Sequence, residues 1–233
     1  MSEAVVWHDI ECGAYRADLE LWLRLAGEST DPVLDVGAGT GRVALELARA
    51  GHAVIALERD PELAAELARR ASGLSVEVIC ADACDFSLAA PAGICVVPMQ
   101  TIQLLADRPA FLRCARAALS PGALLAVALL GPDVQPFEVE LSPDVAELDG
   151  VRYASAPTAL RQSAGSVVLE RRRTTSSPAG RRVSLDVIEL AQLEAPQLAG
   201  EAVAAGFADR GLIRIGPTSQ HAGSDIACFE VPR

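Results

Sequence analysis

The feature that most constrains this chain is the stretch from Val33 to Gly41, which reads Val-Leu-Asp-Val-Gly-Ala-Gly-Thr-Gly. An apolar run carrying one carboxylate passes directly into three glycines at alternate positions, and apolar residues at helical spacing follow Gly41. Glycine permits positive φ and lets a ligand approach the backbone closely, and the start of a helix presents unpaired N–H groups. The stretch therefore predicts a buried strand, a tight turn and a helix start that together bind a small polar ligand.

The spacing of these glycines separates the classes of nucleotide-binding turn. A dinucleotide turn reads Gly-x-Gly-x-x-Gly, whereas here the third glycine comes one residue early and Arg42 stands in its place. A P-loop requires a lysine, and this chain contains none. The pattern Asp-x-Gly-x-Gly-x-Gly resembles motif I of class I S-adenosylmethionine-dependent methyltransferases, although similar turns occur in unrelated α/β proteins.

The rest of the chain divides into two kinds of pattern. Apolar strands and amphipathic helices alternate from residue 33 to residue 130, which predicts a parallel sheet with helices on both faces. Residues 132–165 are instead rich in Pro, Ser and acids. Two strands joined by a turn, a β-hairpin, are then expected over 166–190. Elsewhere the spacing predicts an amphipathic helix over 11–26, a helix over 196–205, and two last strands around 213–215 and 226–231.

Three further features resemble the same methyltransferase family and occur in the family's order. They are Glu58 at the end of the second strand, Asp82-Ala83 after the third, and a Ser-Pro-Gly turn before the fifth. The resemblance implies an α/β doubly wound, seven-stranded, mostly parallel sheet of order 3-2-1-4-5-7-6, with the seventh strand antiparallel. It implies one methyltransferase domain over 1–233, made of a Rossmann-like core (28–131 and 195–233), an N-terminal helix lid (1–27) and an inserted β-hairpin cap (132–194) covering the substrate.

The implied cofactor is S-adenosyl-L-methionine, whose activated methyl group would pass by in-line displacement to a nitrogen or oxygen. The resemblance places Asp35 near the cofactor's ammonium group, Glu58 on its ribose hydroxyls, and Asp82 with Ala83 on its adenine. Tyr15 either closes over the cofactor or is a core aromatic residue of the first helix. The full expected cofactor site is Tyr15, Asp35, Gly37, Ala38, Gly39, Glu58, Arg59, Asp82, Ala83, Pro98, Met99 and Gln103.

Two residue types are absent from the chain, and their absence narrows the classes of acceptor that the chain could methylate. Without Asn the chain cannot carry the Asn-Pro-Pro-aromatic motif of amino-methylating DNA enzymes, and without Lys it cannot carry the tetrad of RNA ribose methyltransferases. No cluster of metal ligands is evident, so no metal is expected. A small-molecule acceptor remains. Gln100 and His221 are the candidates for assisting its deprotonation, whereas His52 precedes the second strand and is excluded.

The net charge and the composition of the chain limit the kinds of partner that it can have. The formal charge of −11 disfavours a nucleic-acid partner, but an arginine cluster at 171–173 and 181–182 offers either an anion or RNA site or a solvated hairpin face. No apolar run reaches the ~20 residues of a membrane span, and six cysteines without a Cys-x-x-Cys pair favour a reducing cytoplasm. A monomer or homodimer is expected. The alternatives are a non-catalytic nucleoside-binding module, an RNA methyltransferase using residues 171–182, and, disfavoured by the glycine spacing, a nucleotide-linked dehydrogenase.

Overall fold

A computed structural model describes residues 1–131, 134–218 and 223–233. The helices are α1 (Glu3–Cys12), α2 (Leu19–Ala26), α3 (Ala44–Arg49), α4 (Pro61–Arg70), α5 (Thr101–Leu104), α6 (Arg108–Ala118) and α7 (Ala195–Ala204). The strands are β1 (Val33–Val36), β2 (Val54–Glu58), β3 (Val76–Cys80), β4 (Ala92–Val97), β5 (Leu119–Leu130), β6 (Asp144–Leu148), β7 (Val151–Gln162), β8 (Ser166–Ser177), β9 (Gly180–Ala191), β10 (Ala208–Ile215) and β11 (Ser224–Glu230). No helix in these ranges is both long and apolar enough to cross a membrane.

The larger of two compact units comprises Arg16–Asp133 and Leu193–Arg233 and contains a seven-stranded sheet of order β10-β11-β5-β4-β1-β2-β3. Strands β1 to β5 are parallel, and β11 runs antiparallel to both β5 and β10. The predicted strand order and the antiparallel seventh strand are therefore confirmed. A parallel sheet of this kind is covered on both faces, and all four residues of β1 are accordingly buried.

The alternation of side chains along each strand divides the core into two layers. Leu34 and Val36 point to one face of the sheet and pack in a cluster with Phe111. Val33 points to the other face and packs in a cluster with Trp22. Because successive strand residues face opposite sides, Asp35 lies on the same side as Val33, inside a layer that is mostly apolar.

The second unit comprises Met1–Tyr15 and Val134–Gln192 and contains an antiparallel sheet of four strands, β6-β7-β8-β9. The predicted hairpin is confirmed as β8 and β9, with Ser177 paired to Gly180 across its turn. The sequence did not predict β6 and β7, because their polar and proline-containing segments lack a clear period of two. Helix α1 belongs to this unit, and its Trp7 ring meets Tyr153 edge-on at 5.3 Å between centroids.

The single helix predicted over residues 11–26 is wrong. Helix α1 ends at Cys12 and is capped by Gly13, whose N–H donates to the carbonyl of Asp9, and α2 starts only at Leu19. The break also falls at the boundary between the two units, after Tyr15. The predicted turn at 120–122 likewise takes another form: Gly122, at φ +83°, lies within β5, whose pairing with β4 is irregular at this point.

A buried ion pair fixes α2 to the segment that follows the third glycine. The Arg42 guanidinium donates to both carboxylate oxygens of Asp18, at 2.5 and 2.8 Å, and the indole N–H of Trp22 donates to the same carboxylate at 2.8 Å. The Arg42 and Asp18 side chains are only 6% and 2% exposed. A charge pair this deeply buried is favourable only while every partner is present.

We expect Asp18→Ala to destabilise the protein by about 3–5 kcal/mol, because it leaves a buried guanidinium without its counter-charge. The control is Glu46→Ala, which removes the surface ion pairs with Arg16 and Arg49 and is expected to cost no more than about 1 kcal/mol. Urea unfolding of both variants measures the difference. Equal losses would show that the buried pair contributes no more than the exposed ones.

Candidate active site

The glycine turn leaves the carboxyl end of β1 and folds back on the end of β2. The N–H groups of Gly37 and Ala38 both donate to the carbonyl of Leu57, at 2.9 and 3.0 Å. Gly37 has φ +72°, and an added Cβ at this position would lie 2.6 Å from the Thr101 methyl carbon. The turn is therefore packed against the residues that follow β4, and only glycine fits there without strain.

Glu58 joins the glycine turn to the end of β2. One of its carboxylate oxygens accepts from the Gly39 N–H at 2.8 Å, and the other accepts from the Asp60 N–H at 2.8 Å. Glu58 is half-buried. The predicted ribose-binding acid and the predicted backbone site thus lie in direct contact.

The end of β3 lies beside the end of β2, because Glu58 pairs with Cys80 in the parallel register. Asp82 follows two residues later, and its carboxylate accepts from the Cys84 N–H at 2.8 Å. Asp82 is exposed, whereas Ala83 is buried. The two predicted acids and the glycine turn therefore share the carboxyl edge of the sheet, where open α/β folds bind ligands.

Asp35 is a carboxylate buried in an apolar layer. The side chain is fully buried, and neither of its oxygens has a hydrogen-bond partner of normal geometry in the described residues. Burial raises its pKa from 3.8 to about 7, although the Arg42 charge and the Ala44 amide act in the opposite direction. A buried carboxylate of this kind fits a cationic ligand group that supplies the missing partner.

The residues after β4 form the remaining wall of this edge. Pro98 is buried, and Met99 has φ +55°, which is rare for a residue with a side chain. Gln103 is buried, and its amide oxygen accepts from the Leu130 N–H at 2.8 Å. Gln100 is half-buried and begins α5 without a capping hydrogen bond from its side chain. The assignment of these four residues to cofactor or acceptor stays a prediction.

Three other predicted site residues, Tyr15, Arg59 and His221, stay predictions. Tyr15 is buried but belongs to the unit of the four-stranded sheet. Arg59 is exposed beyond the end of β2. His221 lies outside the described residues. In the described part of the chain, no group of three or more His, Cys, Asp or Glu side chains is arranged to hold a metal ion.

The arginine cluster is largely neutralised within its own unit. Arg173 donates to Glu11 at 2.6 and 2.8 Å, pairs with Asp186 at 2.9 Å, and lies 5.4 Å over the Trp7 ring. Arg172 pairs with Glu140 and Arg182 with Glu3. These pairs support the interpretation of the cluster as a solvated hairpin face over that of an RNA site.

Sequence reasoning missed two residues that shape the site. Arg42 was noted only as an exception to the dinucleotide pattern, and its partner Asp18 lies far away in sequence. Thr101 was not singled out, yet its hydroxyl donates to the Pro98 carbonyl at 3.0 Å and so holds its methyl group against Gly37. Neither contact has a local sequence signal, since both depend on segments brought together by folding.

The pKa of Asp35 predicts a pH-dependent stability. The unfolded chain loses this proton near pH 4 but the folded protein only near pH 7. Stability is therefore expected to fall as pH rises between these values, by on the order of 4 kcal/mol. Asp35→Asn abolishes that fall, whereas Asp31→Asn, an exposed control, leaves it in place. Urea unfolding from pH 4 to pH 8 tests this, and an unchanged slope in Asp35→Asn contradicts it.

Gly37→Ala and Gly51→Ala form a matched pair, because both glycines have positive φ but only Gly37 is crowded. We expect about 1–2 kcal/mol of conformational destabilisation in each. Gly37→Ala is expected to lose roughly 1–3 kcal/mol more through the clash with Thr101. Thermal or urea unfolding of the two variants compares the costs, and similar values would show that the turn can relax.

Comparison with known proteins agrees with this geometry. Residues 33–122 match the family model described as a methyltransferase domain. Ribosomal RNA small subunit methyltransferase A of Deinococcus radiodurans is 47% identical over 66 residues, which are 28% of this chain and 23% of that protein. The chain spans only 23–56% of the length of the curated relatives it matches.

Two solved structures share the fold across nearly the whole chain. A sugar N-methyltransferase from Streptoalloteichus has a TM-score of 0.79 and 20% identity, covering 98% of this chain and 92% of its own. An amino pentose methyltransferase from Micromonospora echinaspora, solved with SAM bound, has a TM-score of 0.73 and 20% identity, covering 96% of each chain. The resemblance predicted from the sequence is thereby confirmed at the level of the fold: this chain shares the Rossmann-like fold of these two methyltransferases, and its residues 33–122 match a methyltransferase-domain model.

Proposed function

We propose that this chain is an enzyme that transfers a methyl group from S-adenosyl-L-methionine to a nitrogen or oxygen of a small-molecule acceptor. The observation that carries the proposal is the contact between Glu58 and the Gly39 N–H at the carboxyl edge of the sheet. This contact joins the glycine turn to an acid at the end of β2, at the edge where a nucleoside would lie.

The residues of this edge match the cofactor's chemical groups one by one. Asp35 is a buried carboxylate without a hydrogen bond in the described residues, which suits an ammonium group. Glu58 offers two oxygens to the vicinal hydroxyls of a ribose. Asp82 and the neighbouring Ala83 N–H would meet the adenine, as the family resemblance implies. The backbone of Gly37 to Gly39 would then lie along the methionine portion.

The bound cofactor would supply an already activated methyl group, so the protein needs no strong acid. What the chain must do is hold the acceptor atom in line with the methyl group and exclude water. Pro98, Met99 and Gln103 would form the wall beside the sulfonium. Met99 has φ +55°, and strained backbone of this kind is often found at ligand sites, which supports assigning it to the wall.

The acceptor is proposed from chemistry and from fold relatives. Of the two solved structures described above, one is a sugar N-methyltransferase and the other is an amino pentose methyltransferase. An amine attacks in its neutral form, and Gln100 is the candidate for orienting it, while His221 is the candidate base if the acceptor is a hydroxyl. Nucleic acid is not proposed as acceptor, because the arginines that offered it are mostly paired with carboxylates.

The proposal also assigns a role to each segment of the chain and a location to the protein. Residues 28–131 and 195–233 are assigned to the cofactor-binding core, 132–194 to covering the acceptor, and 1–27, with Tyr15, to closing over the cofactor. The six cysteines are all free thiols, which supports a cytoplasmic location.

Glu58→Gln is expected to weaken S-adenosylmethionine binding about 10- to 100-fold, because a hydrogen bond to a charged group is worth about 1.5–3 kcal/mol. The control is Glu77→Gln, an exposed acid on the neighbouring strand β3, which should leave affinity unchanged. Isothermal titration calorimetry with S-adenosylmethionine measures both variants.

Two outcomes of binding titrations and one of a methyl-transfer assay would contradict the proposal. Binding of NAD in place of S-adenosylmethionine would make the chain a dehydrogenase. Equal affinities in the two variants would remove Glu58 from the site. Tight binding without methyl transfer to any amine or hydroxyl in a panel of amino sugars and related small molecules would favour a non-catalytic module.

A further inference from the structure

One face of the four-stranded sheet carries a polar hollow of about 380 Å³, lined mainly by residues of β7, β8 and β9. Pockets for small molecules have volumes of about 300–1,000 Å³, so the hollow is large enough for a small ligand. Three arginines, Arg152, Arg172 and Arg181, line it together with the hydroxyl residues Thr174 and Ser176. None of these five residues is assigned to the cofactor above.

The strand register accounts for the shape of the hollow. Arg152 on β7, Ser176 on β8 and Arg181 on β9 lie side by side, and Ala154 and Thr174 stand opposite each other in the next row on the same face. Neighbouring strands are about 4.8 Å apart, so the backbones of the two arginines are separated by about 10 Å, with the serine between them. Two long side chains therefore border a row of small ones.

The polar groups of the hollow have few partners of their own. Arg152 and Arg181 are exposed and form no ion pair or hydrogen bond within the ranges that the structure describes. Arg172 pairs with Glu140, but its Nε is buried and has no hydrogen-bond partner among the same residues. Thr174 is buried, and its hydroxyl likewise makes no hydrogen bond there. The hollow thus presents several donors that a ligand could satisfy.

The charge of the hollow indicates the class of ligand. Three guanidinium groups and the single carboxylate of Glu140 leave two positive charges in excess, in a chain whose formal charge is −11. Guanidinium groups present a planar set of N–H donors that matches the oxygens of a phosphoryl group. Two excess positive charges and these donors together fit one tetrahedral dianion.

The other charged residues of this face leave the hollow positive. Arg161 pairs with Glu138 and Glu170, so this group is neutralised locally. Glu147 lies opposite Arg152 in the register of β6 and β7, but it is exposed, forms no ion pair within the described residues and does not line the hollow. Glu189, near the end of β9, does not line it either.

We propose that this hollow binds a phosphate or sulfate dianion, either as the free ion or as the terminal group of a small molecule. Arg152 and Arg181 donate to the anion from two sides, and the hydroxyls of Ser176 and Thr174 donate from the sheet between them. The site holds a single dianion and is unrelated to binding of a nucleic acid. It does not depend on the methyl transfer proposed above.

Isothermal titration calorimetry of the full chain with inorganic phosphate and with sulfate tests the site. Each is expected to bind saturably with a dissociation constant of about 1 mM or less, and acetate, a monoanion, at least about tenfold more weakly. Phenyl phosphate separates the two sources of the dianion, because tighter binding than inorganic phosphate identifies an ester and weaker binding identifies the free ion. No saturable binding of phosphate or sulfate up to about 10 mM, or equal binding of acetate, would overturn the proposal.

Arg152→Gln and Arg181→Gln are each expected to weaken phosphate binding about tenfold, because each removes charge-assisted hydrogen bonds. Arg113→Gln is the matched control, since Arg113 is exposed on α6 and has no ion pair in the part of the chain that the structure describes. Circular dichroism checks that all three variants fold. An equal loss in Arg113→Gln would show that the anion responds only to net charge, and unchanged binding in both hollow variants would remove the site.

Glu140→Gln tests the same site with the opposite sign. It releases Arg172 from its ion pair, so sulfate binding is expected to tighten about two- to fivefold. Glu138→Gln is the control, because Glu138 lies in the same segment but pairs with Arg161, which does not line the hollow. Sulfate affinity that is unchanged in Glu140→Gln, or raised equally in both variants, would contradict the site.

Discussion

The carboxylate of Glu58 ties together the two strand ends on which the site depends. Its oxygens accept from the N–H groups of Gly39 and Asp60, so one side chain fixes both the glycine turn after β1 and the turn that starts α4. Parallel strands bring their carboxyl ends to one edge, but that alone leaves the loops free to point anywhere. The hydrogen bonds of Glu58 are what turn two neighbouring loops into one surface.

That surface is held at a cost in stability. Asp35 keeps a carboxylate in a mostly apolar layer, and Met99 keeps a positive φ. Each feature disfavours folding by itself, and each lies at the carboxyl edge of β1 or β4. Unfavourable groups concentrated at one place are typical of sites whose missing interactions come from a ligand.

The sequence predicted the larger unit well and the smaller one poorly, for physical reasons. In the larger unit the strands are buried on both faces, so they appear in the sequence as continuous apolar runs. The glycines and acids that follow these runs are then easy to recognise. The break between α1 and α2 was missed because the periodicity of Leu19 and Trp22 says nothing about Asp18, whose partner Arg42 lies on a different segment. Strands β6 and β7 were missed because a half-exposed antiparallel sheet carries mixed residues on both faces. At the site, the glycines and acids could be predicted from the sequence because they follow the apolar strands directly. The contact of Gly37 with Thr101 could not be predicted, because it joins two segments that only folding brings together.

The arginines show how the geometry of a strand resolves what composition leaves open. In sequence, residues 171–182 form one basic cluster that suggests a polyanion. In the structure, alternation sends their side chains to two faces of the sheet. Arg173 and Arg182 meet Glu11 and Glu3 of α1, so one face is satisfied within the subunit. Arg181 lies on the other face, where the register of β8 and β9 also places Arg172, which pairs with Glu140. Strand alternation therefore divides one basic segment of the sequence into two sets of arginines, and in each set a guanidinium is paired with a carboxylate of its own unit.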